Sequence, residues 1–294
     1  MRSLDLLSTW PVGAASAGVV TVASGMTSVV GTRGDIHRPH YWASVTKLCT
    51  ALTVLVAVEE TTLSLEEAAG PPGSTVAHLL AHASGLAPSG GAVLEPPGHR
   101  RIYSNAGFDL LGELLAQRSG IPFTDYLREA VLEPLGMRGA RLPPGGSPAA
   151  GMYGSVRDLV LLATELLAPT LIAPVTLERA TTVAFPGLSG VLPGFGRQDP
   201  CDWGLGFELR DAKRPHWTGT ANSPRTFGHF GQAGGFVWVD PEAQVACVSL
   251  SDRAFGPWAA EAWPKLSDAV LADCRPALRT DAPTEFTTSG QAVP

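Results

Sequence analysis

Strand-like text in this chain is confined to its two ends. Residues 12–32, "VGAASAGVVTVASGMTSVVGT", carry two β-branched runs split by "ASGM", which predicts a hairpin. Strand patterning returns only at "GLGFELR", "GGFVWVDP" and "QVACVSLSD", the last two joined by a turn at Asp240-Pro241-Glu242. Between them, from about 61 to 200, the text reads as helices punctuated by Gly and Pro: "TVAHLLAH", "NAGFDLLGELLAQRSG", "FTDYLREAVLEPLG" and "SVRDLVLLATELLA". Isolated strands cannot bury a face, so the two ends must pair. The expected fold is α+β: one antiparallel sheet flanked by helices, built from about 1–60 and 201–275, with the mostly helical lobe 61–200 inserted. Residues 1–275 then form a single unit, and the polar segment 276–294 is expected to be a loose tail. A closing helix, "PWAAEAWPKLSDAVLADC", precedes that tail.

The apolar run "YWASVTKLCTALTVLVAVEE" predicts a helix from about Ser44 to Glu60 that is hydrophobic all round and therefore buried. A lysine stands at its head. Ser44 and Lys47 are three residues apart, so the hydroxyl and the amine share a face. Burial strips the amine of hydration and lowers its pKa, which makes it a base able to take the serine proton. A serine at a helix N-terminus also has free N–H groups and the positive dipole end beside it, as an oxyanion requires. S-x-x-K alone is common, and its lysine ordinarily snorkels to solvent. Two things favour chemistry: the apolar surroundings, and the scarcity of lysine, since Lys47, Lys213 and Lys265 are the chain's three against many arginines.

Two further segments carry polar groups at element boundaries. In "YSNAGFDLLGELLA", Tyr103 can relay protons and Asn105 can both donate and accept, although Ser104 or Asn105 capping the helix is the plainer use. In "FGHFGQAGGFVWVDP", Gly231, Gly234 and Gly235 permit close backbone approach, the Gln232 N–H is a possible oxyanion donor, and His229 adds a polar group. Phe236 and Trp238 alternate on one strand face and read as core.

Together these segments resemble the serine β-lactamase and penicillin-recognising superfamily, in its class C-like branch of β-lactamases, D-alanyl-D-alanine carboxypeptidases, D-aminopeptidases and esterases. Ser44-Val45-Thr46-Lys47 is similar to S-x-x-K, Tyr103-Ser104-Asn105 to Y-x-N, and His229-Phe230-Gly231 to the third motif, K-T-G in lactamases and often H-x-G in esterases and aminopeptidases. "HLLAHASGL", "PPG", "LEPLGM" and "SVRDLVLLA" resemble non-catalytic landmarks in the same order. The resemblance implies that residues 1–275 are one catalytic domain. It implies Ser44 as acylated nucleophile, Lys47 as its base partner and Tyr103 as the group passing protons to the leaving group. It further implies Asn105, His229 and Gly231 at the substrate, and the N–H groups of Ser44 and Gln232 as the oxyanion hole. His229 in place of lysine removes a permanent cation that would hold a lactam carboxylate, so an ester or amide hydrolase is expected rather than an efficient β-lactamase. The compact length suggests an open pocket. An acyltransferase or D,D-peptidase with the same site, and a binding protein that has lost catalysis, are the alternatives.

Other classes fit poorly. A net charge of -6 gives no field for phosphates, so no nucleic-acid partner is expected. There is no G-x-S-x-G, G-x-G-x-x-G or Walker motif. His78 and His82 have metal-ligand spacing but lack H-E-x-x-H, and neither metal nor cofactor is expected. Cys49, Cys201, Cys247 and Cys274 have no C-x-x-C spacing and read as buried free thiols. The N-terminus makes a poor secretory signal and "ALTVLVAV" is too short to span a bilayer, so the expectation is a cytoplasmic enzyme acting on a small molecule, with no membrane partner.

Overall fold

The computed structural model describes residues 1–279. Its elements run β1 (Ala15–Ala23), β2 (Met26–Arg33), β3 (His40–Tyr41), α1 (Thr46–Glu59), α2 (Val76–Leu80), α3 (Asn105–Ser119) and α4 (Phe123–Leu127). There follow β4 (Tyr153–Gly154), α5 (Val156–Leu167), α6 (Pro174–Ala180), β5 (Gly190–Leu192), β6 (Gly196–Gln198), β7 (Glu208–Leu209), β8 (Phe227–Gly231), β9 (Gly235–Asp240), β10 (Val245–Ser251) and α7 (Pro257–Arg279).

The two ends do pair. A six-stranded sheet runs in the order β2-β1-β10-β9-β8-β7, with every pairing antiparallel. The N-terminal and C-terminal strand groups meet where Val19 stands opposite Cys247, and Cys247 in turn opposite Trp238. Period-two alternation sorts each strand between two cores. Val19, Cys247, Phe236 and Trp238 face a layer containing Trp263, Leu266 and Val270 of α7 and Leu4 and Leu7 of the N-terminal 3-10 helix Arg2–Thr9. Val20, Val248, Val237 and Val239 face the other layer, with α1 and α5. Phe236 and Trp238 are thus core residues, each fully buried. Each such large side chain removed from water contributes about 1.5–3 kcal/mol.

Several boundaries differ from the sequence expectation. Ser44 is not on the α-helix; it lies in a 3-10 turn, Ala43–Val45, that feeds α1. α5 falls in the stretch assigned to the helical lobe, yet it packs on β1, β9 and β10. Gly18 explains how closely: a Cβ there would lie 2.5 Å from Val160 Cγ2. α5 starts on a full capping box, in which Ser155 and Asp158 each satisfy the other's backbone N–H. The β5–β6 hairpin also interrupts the helical stretch. α7 continues through Pro276 to Arg279, so the first residues assigned to the tail are helical; the remainder of 276–294 lies outside the described residues. Among the described residues, no helix is long and apolar enough to cross a membrane. All four cysteines are buried and unpaired.

Candidate active site

The site forms where the turn before α1, the loop before α3 and the end of β8 converge. Ala43 adopts φ 46°, a left-handed conformation that costs a non-glycine residue of order 1 kcal/mol. It turns the chain from β3, which pairs with β4, into α1. The turn is braced by the Trp42 N–H bonded to Met152 O at 3.0 Å, and by β8 lying directly against it. A Cβ on Gly231 would sit 2.2 Å from Trp42 O, so only glycine lets β8 approach this far. Gly231 is therefore a backbone-approach residue; it does not line the pocket.

Lys47 is completely buried. Its Nζ donates to Asn105 Oδ1 at 2.7 Å and to Ala149 O at 2.8 Å, and lies 3.3 Å from Ser44 Oγ. The ammonium has no hydrogen-bonded carboxylate, and desolvation brings its pKa down from 10.5 to about 7, against a weaker upward pull from Asp109. Tyr103 Oη donates to Ser44 Oγ at 2.8 Å and lies 3.4 Å from His229 Nε2. Burial of the phenol pushes its pKa well above the ordinary tyrosine range, with the Ser44 hydrogen bond opposing weakly.

His229 is buried, and its Nδ1 faces Phe230 O at 2.6 Å. A carbonyl only accepts, so Nδ1 carries the proton and the neutral ring turns its Nε2 lone pair towards Tyr103. Desolvation, then the nearby Lys47 charge, lower its pKa to about 3. Ser104, not Asn105, caps α3, through the Gly107 N–H at 3.2 Å. Asn105 is left to hold Lys47.

Ser44, Tyr103, His229 and Gln232 line one pocket. The Gln232 N–H is bonded to no other backbone carbonyl among the described residues. A larger cleft lies beside it, sharing Tyr103 and Pro193. Sequence reading missed the Ala149 carbonyl, and the walls supplied by Leu192, Pro193, Trp203 and Glu208. Glu208 is buried and bonded to Lys213 Nζ at 2.5 Å, His216 at 2.9 Å and Trp217 Nε1 at 3.0 Å. The scarcity of lysine was thus only a partial guide: Lys47 and Lys213 are buried, but Lys265 is an exposed partner of Glu261. His78 stacks on Phe185, while His82 turns away to accept the Ser104 N–H and packs on Tyr103.

Comparison with known proteins places the fold. A family model described as Beta-lactamase matches residues 37–271. The crystal structure of a β-lactamase from Mycobacterium bovis is 53% identical, with a TM-score of 0.89 over 92% of this chain and 99% of that one. EstCE1, a hydrolase with promiscuous acyltransferase activity, is 18% identical with a TM-score of 0.72, covering 92% of this chain and 97% of its own; that likeness is one of fold. A Salmonella heidelberg protein named for D-alanyl-D-alanine carboxypeptidase activity is 27% identical over 204 residues, 55% of this chain and 47% of its own. The chain spans about half the length of the curated relatives it matches.

Proposed function

The chain belongs to the β-lactamase family, and within it we propose a serine hydrolase that opens ester or amide bonds of a small substrate through an acyl-enzyme on Ser44. One observation carries the reading: how the hydrogens on Lys47 are spent. A neutral amine has two hydrogens and one lone pair. Asn105 Oδ1 and Ala149 O accept the two hydrogens, which leaves the lone pair for the third neighbour, Ser44 Oγ. With its pKa near 7, the amine is neutral in an appreciable fraction of molecules at physiological pH.

The proton path then has a direction. Ser44 gives its proton to Lys47 as Oγ attacks the acyl carbon, while the Tyr103 hydroxyl, already donating to Oγ, turns to the departing heteroatom. Tyr103 acts as a proton donor rather than a resting phenolate, because burial disfavours the anion. Lys47 Nζ, 4.8 Å from the Tyr103 ring centroid, steadies the phenolate character that develops. The N–H groups of Ser44 and Gln232 serve as oxyanion donors, and the Asn105 Nδ2 remains free to donate to substrate.

Substrate choice follows from His229. Neutral across the physiological range, it offers no cation to a substrate carboxylate, which favours uncharged esters and amides over β-lactams. The 53% identity to a β-lactamase favours lactam turnover as the second reading. A panel of p-nitrophenyl esters, D-amino-acid amides and a chromogenic cephalosporin separates them. We expect ester hydrolysis to exceed cephalosporin hydrolysis, and Ser44→Ala to abolish both. Cephalosporin turnover above ester turnover would overturn the choice of substrate, and ester turnover surviving in Ser44→Ala would overturn the mechanism.

A further inference from the structure

Beside the Ser44 pocket lies a larger cleft of about 550 Å³, whose lining includes Leu94, Ile102, Val191 and Pro193, with Glu95 and Arg100 at its polar part. Tyr103 and Pro193 line both spaces, so the cleft adjoins the pocket that holds Ser44. Leu94 and Val191 are 57% and 50% exposed, although each is a large aliphatic residue on a cavity wall. Apolar surface held open at the mouth of a reactive site is surface that a ligand can cover.

The walls are preformed. One is the loop 85–94, closed by Leu94 N–H to Gly85 O at 2.8 Å and Ala87 N–H to Ala92 O at 2.9 Å, and tied to the site by Asn105 N–H to Pro88 O at 2.9 Å. The other is the β5–β6 hairpin, anchored by buried Leu192 and by Phe195, which stacks edge-on to Phe230. Arg101 ties the start of the hairpin to the end of α2 and to the segments at 184–185 and 201. Its N–H bonds Ser189 O at 2.9 Å, and its buried guanidinium donates to the carbonyls of Ala81, Ala184, Phe185 and Cys201. A groove braced in this way loses less freedom on binding than a loose one.

We propose that this cleft is the leaving-group subsite, and that the enzyme acts on esters joining a short acyl group to an apolar alcohol; this rests on the acyl-enzyme reading given above. The assignment of sides follows from Tyr103. The departing oxygen must meet the Tyr103 hydroxyl; of Ser44, Tyr103 and His229, Tyr103 alone lines the cleft, whereas all three line the smaller pocket, where the acyl part stays. The Ser44 Oγ–acyl bond forms as the acyl carbon–oxygen bond breaks. The alcohol leaves carrying a proton from Tyr103, which the Lys47 ammonium replaces, and water then releases the short acid and the serine.

The test compares kcat/KM for ethyl acetate, hexyl acetate and ethyl hexanoate. Four fully buried methylenes would give a roughly 200-fold gain, so a cleft open on one side should favour hexyl over ethyl acetate by about tenfold or more. Ethyl hexanoate should show no such gain. Val191→Asp and Leu94→Asp, on independent and exposed wall positions, should each pull the hexyl-to-ethyl ratio towards one, with melting temperature as the check on folding. A flat ratio in the wild type, a gain for hexanoate instead, or a ratio untouched in a folded variant overturns the subsite. If p-nitrophenyl acetate is also inert, the hydrolase reading falls and the subsite with it.

Discussion

Replacing Lys47 with methionine should change how the stability of the protein depends on pH. The amine is fully buried, and lowering it from 10.5 to about 7 means that its charged form is disfavoured in the fold by about 5 kcal/mol. Between those two values the unfolded chain binds the proton more tightly than the folded one, so stability rises with pH across that window. Below 7 both states are protonated and the full cost applies. At pH 9 the folded amine is neutral and only about 2 kcal/mol remains, so the wild type gains about 3 kcal/mol from this group between pH 6 and pH 9. Lys47→Met removes that slope. It also leaves Asn105 Oδ1 and Ala149 O without their donor, at about 1–3 kcal/mol each, but this penalty is the same at every pH. Urea unfolding of both proteins, followed by circular dichroism at pH 6 and pH 9, isolates the difference. Parallel pH dependence in the two proteins would refute a depressed lysine, and with it the base assigned to Ser44.

Four other substitutions probe the surrounding structure. Tyr103→Phe should keep the melting temperature within a few degrees and lower kcat by about 10²–10⁴-fold, as loss of a positioned proton donor does. kcat/KM should rise with pH through a midpoint near 7 as Lys47 loses its proton; His229→Asn should leave that midpoint within a few tenths, because His229 titrates near 3. Gly231→Ala should lower both melting temperature and acylation rate, since the added methyl meets Trp42 O at 2.2 Å; an unchanged acylation rate would separate the strand from the catalytic turn. Ser155→Ala should cost about 1 kcal/mol in urea unfolding through loss of the α5 capping box, with kcat unaffected.

How much of this was legible beforehand follows from where each signal lies. Period-two runs such as "QVACVSLSD" announce strands locally, and two sets of them at opposite ends admit few arrangements other than one shared sheet. Ser44 and Lys47 are three residues apart, so their proximity was a local fact, and the apolar run after them announced burial of the amine. The Ala149 carbonyl was invisible, because it lies 102 residues from Lys47 in "SPAAG", a segment with no pattern of its own. The same holds for Arg101, which clamps carbonyls from three separate segments. The observed helix starts after Ser44 rather than at it because a 3-10 turn and the first turn of an α-helix share a sequence pattern; the turn contains the left-handed Ala43 and packs against β8. α5 was assigned to the wrong layer because amphipathic spacing reports that a helix packs, not against what.

On the mechanism proposed for this site, Ser44 becomes acylated because Lys47 takes its proton. Intact mass spectrometry after brief exposure to a fluorophosphonate at pH 8 tests it directly, with peptide mapping to locate the adduct. We expect a single adduct on Ser44 in the wild type, none in Ser44→Ala, and labelling slowed at least about 100-fold in Lys47→Met. An adduct elsewhere, equal labelling of Ser44→Ala, or undiminished labelling of a folded Lys47→Met would contradict it.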